Sequence, residues 1–119
     1  DESYIVDVIN ILKSNVKKVA VVAPSIGGNF TEFGVKKVIA ALKELGFDMV
    51  IEAALGADIV AKNESMELAE SGKLTSSCCP AFTSYIEKNY PTLKEHISNS
   101  LSPMATISRE IKEKIQPLK

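Results

Sequence analysis

The only two cysteines of the 119-residue chain, Cys78 and Cys79, stand side by side in the stretch SSCCPAF, directly ahead of Pro80. Thiolates bind soft metals and attack electrophiles, so chemistry is sought there first. The spacing narrows what that chemistry can be. A thioredoxin-type site separates its cysteines by two residues, and a disulfide between neighbours closes a small, strained ring. Reduced thiols are therefore expected. A structural zinc or a cubane iron–sulfur cluster needs four ligands. Beyond the pair the chain offers one histidine, His96, in the polar stretch TLKEHISN, which reads as a surface residue. Such a site cannot be closed by this chain alone.

Proline is well tolerated as the first residue of a helix, so Pro80 predicts a helix start and makes Cys79 its N-cap. A sulfur in that place lies near unpaired backbone N–H groups and the positive end of the helix dipole, which favours a thiolate. Cys78, one residue earlier, points elsewhere and need not share a partner with Cys79. The alternative is that both are packed inside as small hydrophobes. A second candidate loop is APSIGGN, carrying Ala23, Pro24 and Ser25. It lacks the spacings of the known phosphate loops, and Gly27 and Gly28 read as turn residues. The Ser and Thr residues beside the cysteines have no neighbouring histidine, which argues against a hydrolase triad.

These loops need elements to hold them. Residues 4–12, YIVDVINIL, carry apolar side chains at helical spacing, with Asn15 as terminator. Val19 to Ala23 is an unbroken, β-branched run, the pattern of a central strand covered on both faces of a parallel sheet. Residues 34–45 form an amphipathic helix closed by Gly46, and FDMVIEAA a second strand. A third helix is expected within residues 57–70, with Ile59, Met66 and Ala69 inward and Gly72 closing it. Residues 74–77 make a weak third strand. The helix from Pro80 buries Phe82, Tyr85 and Ile86 and ends near Tyr90, because the residue before Pro91 avoids helical geometry. A last helix begins with Ser102 as cap and Pro103 as first residue; Met104, Ile107, Ile111 and Ile115 form its stripe until Pro117. This order predicts an α/β layered domain with a small, mainly parallel sheet flanked by helices. Loops after parallel strands gather at the carboxyl edge, so the two candidate loops are expected to form one site.

The hydrophobic content of 45 % suits a single domain spanning residues 1–119. Fourteen basic residues face fifteen acidic ones, a net charge of −1, so nucleic acid and membrane surfaces are not expected partners. No apolar run approaches the roughly 18 residues of a membrane span, and the N-terminus has no signal-peptide pattern, which sets cytoplasm as the expected location. The chain begins at Asp1 without an initiating methionine, so it is expected to be part of a longer polypeptide.

The motif SSCCPAF, followed by a helix ending in Tyr90–Pro91, resembles the first cysteine motif of the iron-only (FeFe) hydrogenase catalytic domain, TSCCPxW. Three more segments resemble that family in its order. VVAPSIGGNFTEFG is similar to VAPSxRxxxGEEFG, VIAALKELGFDMVIEAALGADI to VxALRxLGFDxVFDTxxAADL, and SNSLSPMATISREIK to SSxKSPQQMxGxxIK. The resemblance implies one lobe of the hydrogenase fold, with Cys78 as the proton-relay thiol near a di-iron subcluster. It implies Cys79 as one of four cysteine ligands of the attached 4Fe–4S cubane, Ala23, Pro24 and Ser25 lining the di-iron pocket, and Pro103 beside the cluster.

The departures are specific. Phe82 stands for the tryptophan of TSCCPxW, Ala81 for the glycine before it, and Met104 for the first glutamine of SPQQ. The other three cluster cysteines of the family have no counterpart in this chain. The resemblance thus implies a lobe of a divergent hydrogenase-like iron–sulfur protein that handles hydrogen and protons, transfers electrons, or senses hydrogen or redox state. Its partners would be a second lobe and ferredoxin-like domains of the same polypeptide; in this chain by itself neither a bound cluster nor catalysis is expected. The bare lobe face predicts self-association. The related iron–sulfur assembly proteins generally lack the first cysteine, and Cys78 is present. Two other functions remain open: a stand-alone thiol redox-sensing or interaction module, and a phosphate- or nucleotide-binding α/β domain built on SIGGN.

Overall fold

The computed structural model describes residues 3–115. The chain divides into two compact units between Glu52 and Ala53.

The first unit holds α1 (Ile5–Lys13), β1 (Val19–Val22), a single helical turn α2 (Ile26–Asn29), α3 (Gly34–Glu44) and β2 (Met49–Glu52). β1 and β2 pair in parallel, Val19 opposite Met49 and Val22 opposite Glu52. Asp48 starts the ladder. Its Oδ2 accepts the Lys18 amide at 2.6 Å, while the Asp48 and Met49 amides donate to the Lys18 carbonyl at 2.9 and 3.2 Å. Gly46 ends the α3 turn at φ +109°, a left-handed geometry that a side chain disfavours, as its place in the sequence predicts. Among the described residues the sheet has two strands, so β1 is not a central strand, and only Val22 in it is buried. The turn α2 lies where a loop is expected. Two glycines give it little intrinsic helicity, but the Ile26 and Gly27 amides close it onto the Ala23 and Pro24 carbonyls at 3.1 and 3.2 Å.

The second unit holds α4 (Ala54–Ser71), α5 (Pro80–Asn89), a 3-10 turn (Pro91–His96) and α6 (Pro103–Ile115). α4 packs on α6. Its buried residues are Gly56 and Val60, one turn apart on the same face, and Ile107 of α6 is buried with them. The expected inward set of Ile59, Met66 and Ala69 is exposed instead. The helix begins three residues earlier than its apolar pattern suggests, so its contact face is set from Gly56. Gly72 ends it at φ +70°, with its amide on the Leu68 carbonyl at 2.8 Å.

The expected third strand is reduced to one parallel bridge, Thr75 with Ile97. The Thr75 amide donates to the His96 carbonyl at 2.7 Å, and the Ser98 amide to the Thr75 carbonyl at 2.8 Å. Pairing stops there because Pro80 already opens α5, whose N-cap is Cys79 in extended geometry, φ −106° and ψ 106°. On α5 only Ile86 of the expected face is buried; Phe82 and Tyr85 are 42 % and 53 % exposed. α6 starts as its sequence predicts, with the Ala105 amide on Ser102 Oγ at 3.2 Å. Ile107 is buried, Ile111 half-buried and Met104 exposed, while the Ile115 side chain and Pro117 lie outside the described residues.

Candidate functional site around the cysteine pair

Cys78 and Cys79 are both free and both exposed, which overturns the alternative of two packed cysteines. The reason is local. Extended backbone at Cys79 and the start of α5 at Pro80 hold the pair on the outside of the turn. The Cys79 carbonyl accepts the Thr83 amide at 3.0 Å and the Thr83 hydroxyl at 3.2 Å, closing the first turn. The sulfur makes no capping hydrogen bond, so the α5 N-terminus keeps unsatisfied donors beside an accessible thiol.

What fixes this loop is a set of groups that spacing and motif reasoning missed. Glu64 and Glu67, three residues apart on α4, lie on one helical face. Glu64 Oε1 accepts the Ser76 hydroxyl at 2.8 Å. Glu67 accepts the Ser100 hydroxyl at 2.9 Å and the Asn99 amide at 3.2 Å. Hydrogen bonds from the buried Ser98 and from Ser100 hold the Glu67 carboxyl below the usual carboxylate range. The Ser77 hydroxyl, next to Cys78, donates to the Ser100 carbonyl at 2.8 Å. The signal in the sequence was an acid pair at helical spacing in NESMELAE, set against the serines of SNSLS.

Cys78, Cys79 and Pro103 therefore share the second unit, coupled through the Thr75–Ile97 bridge, the Ser77–Ser100 bond and the Ser102 cap. Ala23, Pro24 and Ser25 belong to the first unit, exposed in the turn after β1. The cysteine loop follows no strand of the sheet, so the expected reason for the two loops to meet at one sheet edge is not present. His96 is half-buried beside Glu95 at 3.9 Å, and its carbonyl serves the bridge. A cavity of about 630 Å³ lies along α4 and α6, lined among others by Met66, Glu67, Ser100, Arg109 and Glu113.

The donor chemistry bears on the iron–sulfur group that the sequence resemblance implies. An exposed thiol at a helix N-terminus suits one thiolate ligand of such a cluster. Among the described residues no group of three or more His, Cys, Asp or Glu side chains is placed to hold a metal. The fit is that of a contributor of one ligand.

The second unit is helix-rich and presents an exposed Cys-Cys-Pro turn, and the first holds a small parallel sheet with helices between its strands. Residues 16–119 match the family described as iron only hydrogenase large subunit, C-terminal domain, and the chain belongs to that family. It is 32 % identical over 118 residues to iron hydrogenase 1 of Clostridium pasteurianum, covering 87 % of this chain and 21 % of that protein. It is 31 % identical over 122 residues to the periplasmic Fe hydrogenase large subunit of Nitratidesulfovibrio vulgaris, covering 87 % of this chain and 28 % of that one. Among solved structures, an FeFe-hydrogenase studied for oxygen inactivation through its H cluster superposes with a TM-score of 0.78 at 25 % identity, covering 97 % of this chain and 36 % of that one. The chain thus spans between a fifth and about a third of the length of these relatives. The family and the α/β fold read from the sequence both hold.

Proposed function

We propose that this chain is the cluster-facing lobe of a hydrogenase-like iron–sulfur protein, in which Cys79 holds a 4Fe–4S cluster as one thiolate ligand and Cys78 carries a proton. The observation that carries this reading is the exposed Cys-Cys-Pro turn at the α5 N-terminus, clamped to the segment that leads into Ser102 and Pro103. When bound, the iron–sulfur group would supply one-electron redox chemistry. The protein's own part is to hold and position. Cys79 sits on the rigid first turn of α5. Cys78 stands one residue outside that turn, free to exchange a proton. The hydroxyl–carboxylate pairs Ser76–Glu64 and Ser100–Glu67 flank the loop, and Glu67 also lines the open cavity along α4 and α6. Cys78 is exposed, so it exchanges its proton with solvent directly. Whether the protein turns hydrogen over or senses it, the same two thiols act.

The test is iron loading of the chain co-assembled with the three-cysteine remainder of a family member, followed by removal of excess iron. Wild type is expected to retain iron and Cys79→Ser to lose it. Cys78→Ala should retain iron while hydrogen–deuterium exchange on H₂ falls by about 10²–10⁴, the usual contribution of a positioned acid–base group. Full iron retention in Cys79→Ser would refute the assignment.

A further inference from the structure

In the second unit α4 and α6 come into backbone contact at Gly56. A Cβ built there would fall on the carbonyl oxygen of Pro103, 3.0 Å from the Pro103 carbonyl carbon and 3.1 Å from Ile107 Cβ. Gly56 is buried in the first turn of α4, and Pro103 is the first residue of α6. Glycine in a helix sacrifices backbone stability relative to alanine, so its presence here calls for a packing reason. The reason is backbone-to-backbone contact. No side chain at position 56 leaves room for the α6 N-terminus, and a clash with a carbonyl cannot be relieved by a rotamer change.

We infer that Gly56 is a positioning residue, which seats Pro103 and the first turn of α6 against α4 and so fixes the α6 N-terminus relative to the cysteine loop. This rests on the reading of Cys79 and Pro103 given above. Two independent attachments meet at the same segment. Ser102 caps α6 through the Ala105 amide, and Glu67, further along α4, grips Asn99 and Ser100 immediately upstream. Gly56 and Glu67 thus hold the two ends of the 99–103 segment from one helix. The exposed Met104, standing where the family has a glutamine, is thereby carried on a seat that α4 defines.

In the wild-type chain, nuclear Overhauser contacts are expected from the Gly56 α-protons to Pro103 and Ile107; their absence overturns the proposal without any mutant. Gly56→Ala, a change that ordinarily strengthens a helix, should instead lower Tm and shift the amides of Met104, Ala105 and Thr106. Val60→Ala, a cavity one turn along the same face, should lower Tm and leave those amides in place. A raised Tm with unmoved α6 amides in Gly56→Ala overturns the proposal. In the iron-loaded assembly, Gly56→Ala should alter the cluster's electron paramagnetic resonance line shape and Val60→Ala should not. If the Gly56 contacts are present but that line shape is unchanged, the role of Gly56 fails and that of Cys79 stands. If iron is held without Cys79, the reading of the site fails first, and the role of Gly56 in it falls with that reading.

Discussion

At the scale of single residues, the cysteine pair is a case of two identical side chains given different situations by one proline. Pro80 must begin a helix, so the backbone at Cys79 is extended and Cys79 takes the N-cap position, with Cys78 one residue outside it. This much was legible, because Pro chemistry acts within two residues. The serine–glutamate contacts were not, since they join positions up to 33 residues apart that no local pattern pairs. Glu67 also makes the loop sensitive to acid. Its carboxyl titrates below the ordinary 4.5 because hydroxyls of Ser98 and Ser100 favour the charged form. The stabilisation is therefore complete above the unfolded-state value and is lost as pH falls through the lower folded-state value. Thermal unfolding from pH 6 down to pH 3 should show an acid-induced loss in Tm that is smaller in Glu67→Gln, and identical pH slopes for the two proteins would contradict this.

Helix ends were read better than helix faces. Gly46, Gly72, Pro80, Ser102 and Pro103 mark termini through geometry that each residue imposes on itself. Which stripe turns inward depends on the neighbour. On α4 the stripe follows Gly56 and Val60 because α6 packs there, and on α5 only Ile86 finds cover. The third strand failed for a similar reason: its residues have the composition of a strand but a single bridging partner. Caps can be tested singly. Ser102→Ala removes the acceptor for the Ala105 amide at 3.2 Å and should cost about 1 kcal/mol in urea-unfolding free energy, within the usual range for a lost N-cap. An unchanged midpoint would mean that water replaces the cap.

Over the whole molecule, the balance of surfaces is unusual. Among the described residues the buried hydrophobic side chains are Val22, Ala53, Val60, Ile86 and Ile107. By contrast Tyr4, Ile5, Val6, Val8, Ile9 and Ile11 are all exposed on or beside α1. A helix apolar on most of its circumference is normally covered. In the first unit, a largely apolar cavity of about 440 Å³ opens beside α3, lined by Phe30, Phe33, Val38 and Leu42 among others. No described helix is long and apolar enough to cross a membrane. Composition could not reveal this, because it counts apolar residues without saying how many find cover. We propose that the isolated chain self-associates through these faces. Sedimentation velocity should show weight-average mass rising with concentration, and Ile5→Lys with Ile9→Lys should suppress the rise; a constant monomer mass would dismiss it.

The bridge between Thr75 and Ile97 has a further consequence. It clips together the two ends of an excursion made of α5 and the 3-10 turn, and the Ser76–Glu64 and Ser77–Ser100 bonds reinforce the clip from the cysteine side. The two thiols ride on the first limb of that excursion, close to the clip. The sulfur is thus carried at the base of the excursion, where its ties to α4 and to the segment ahead of α6 are concentrated.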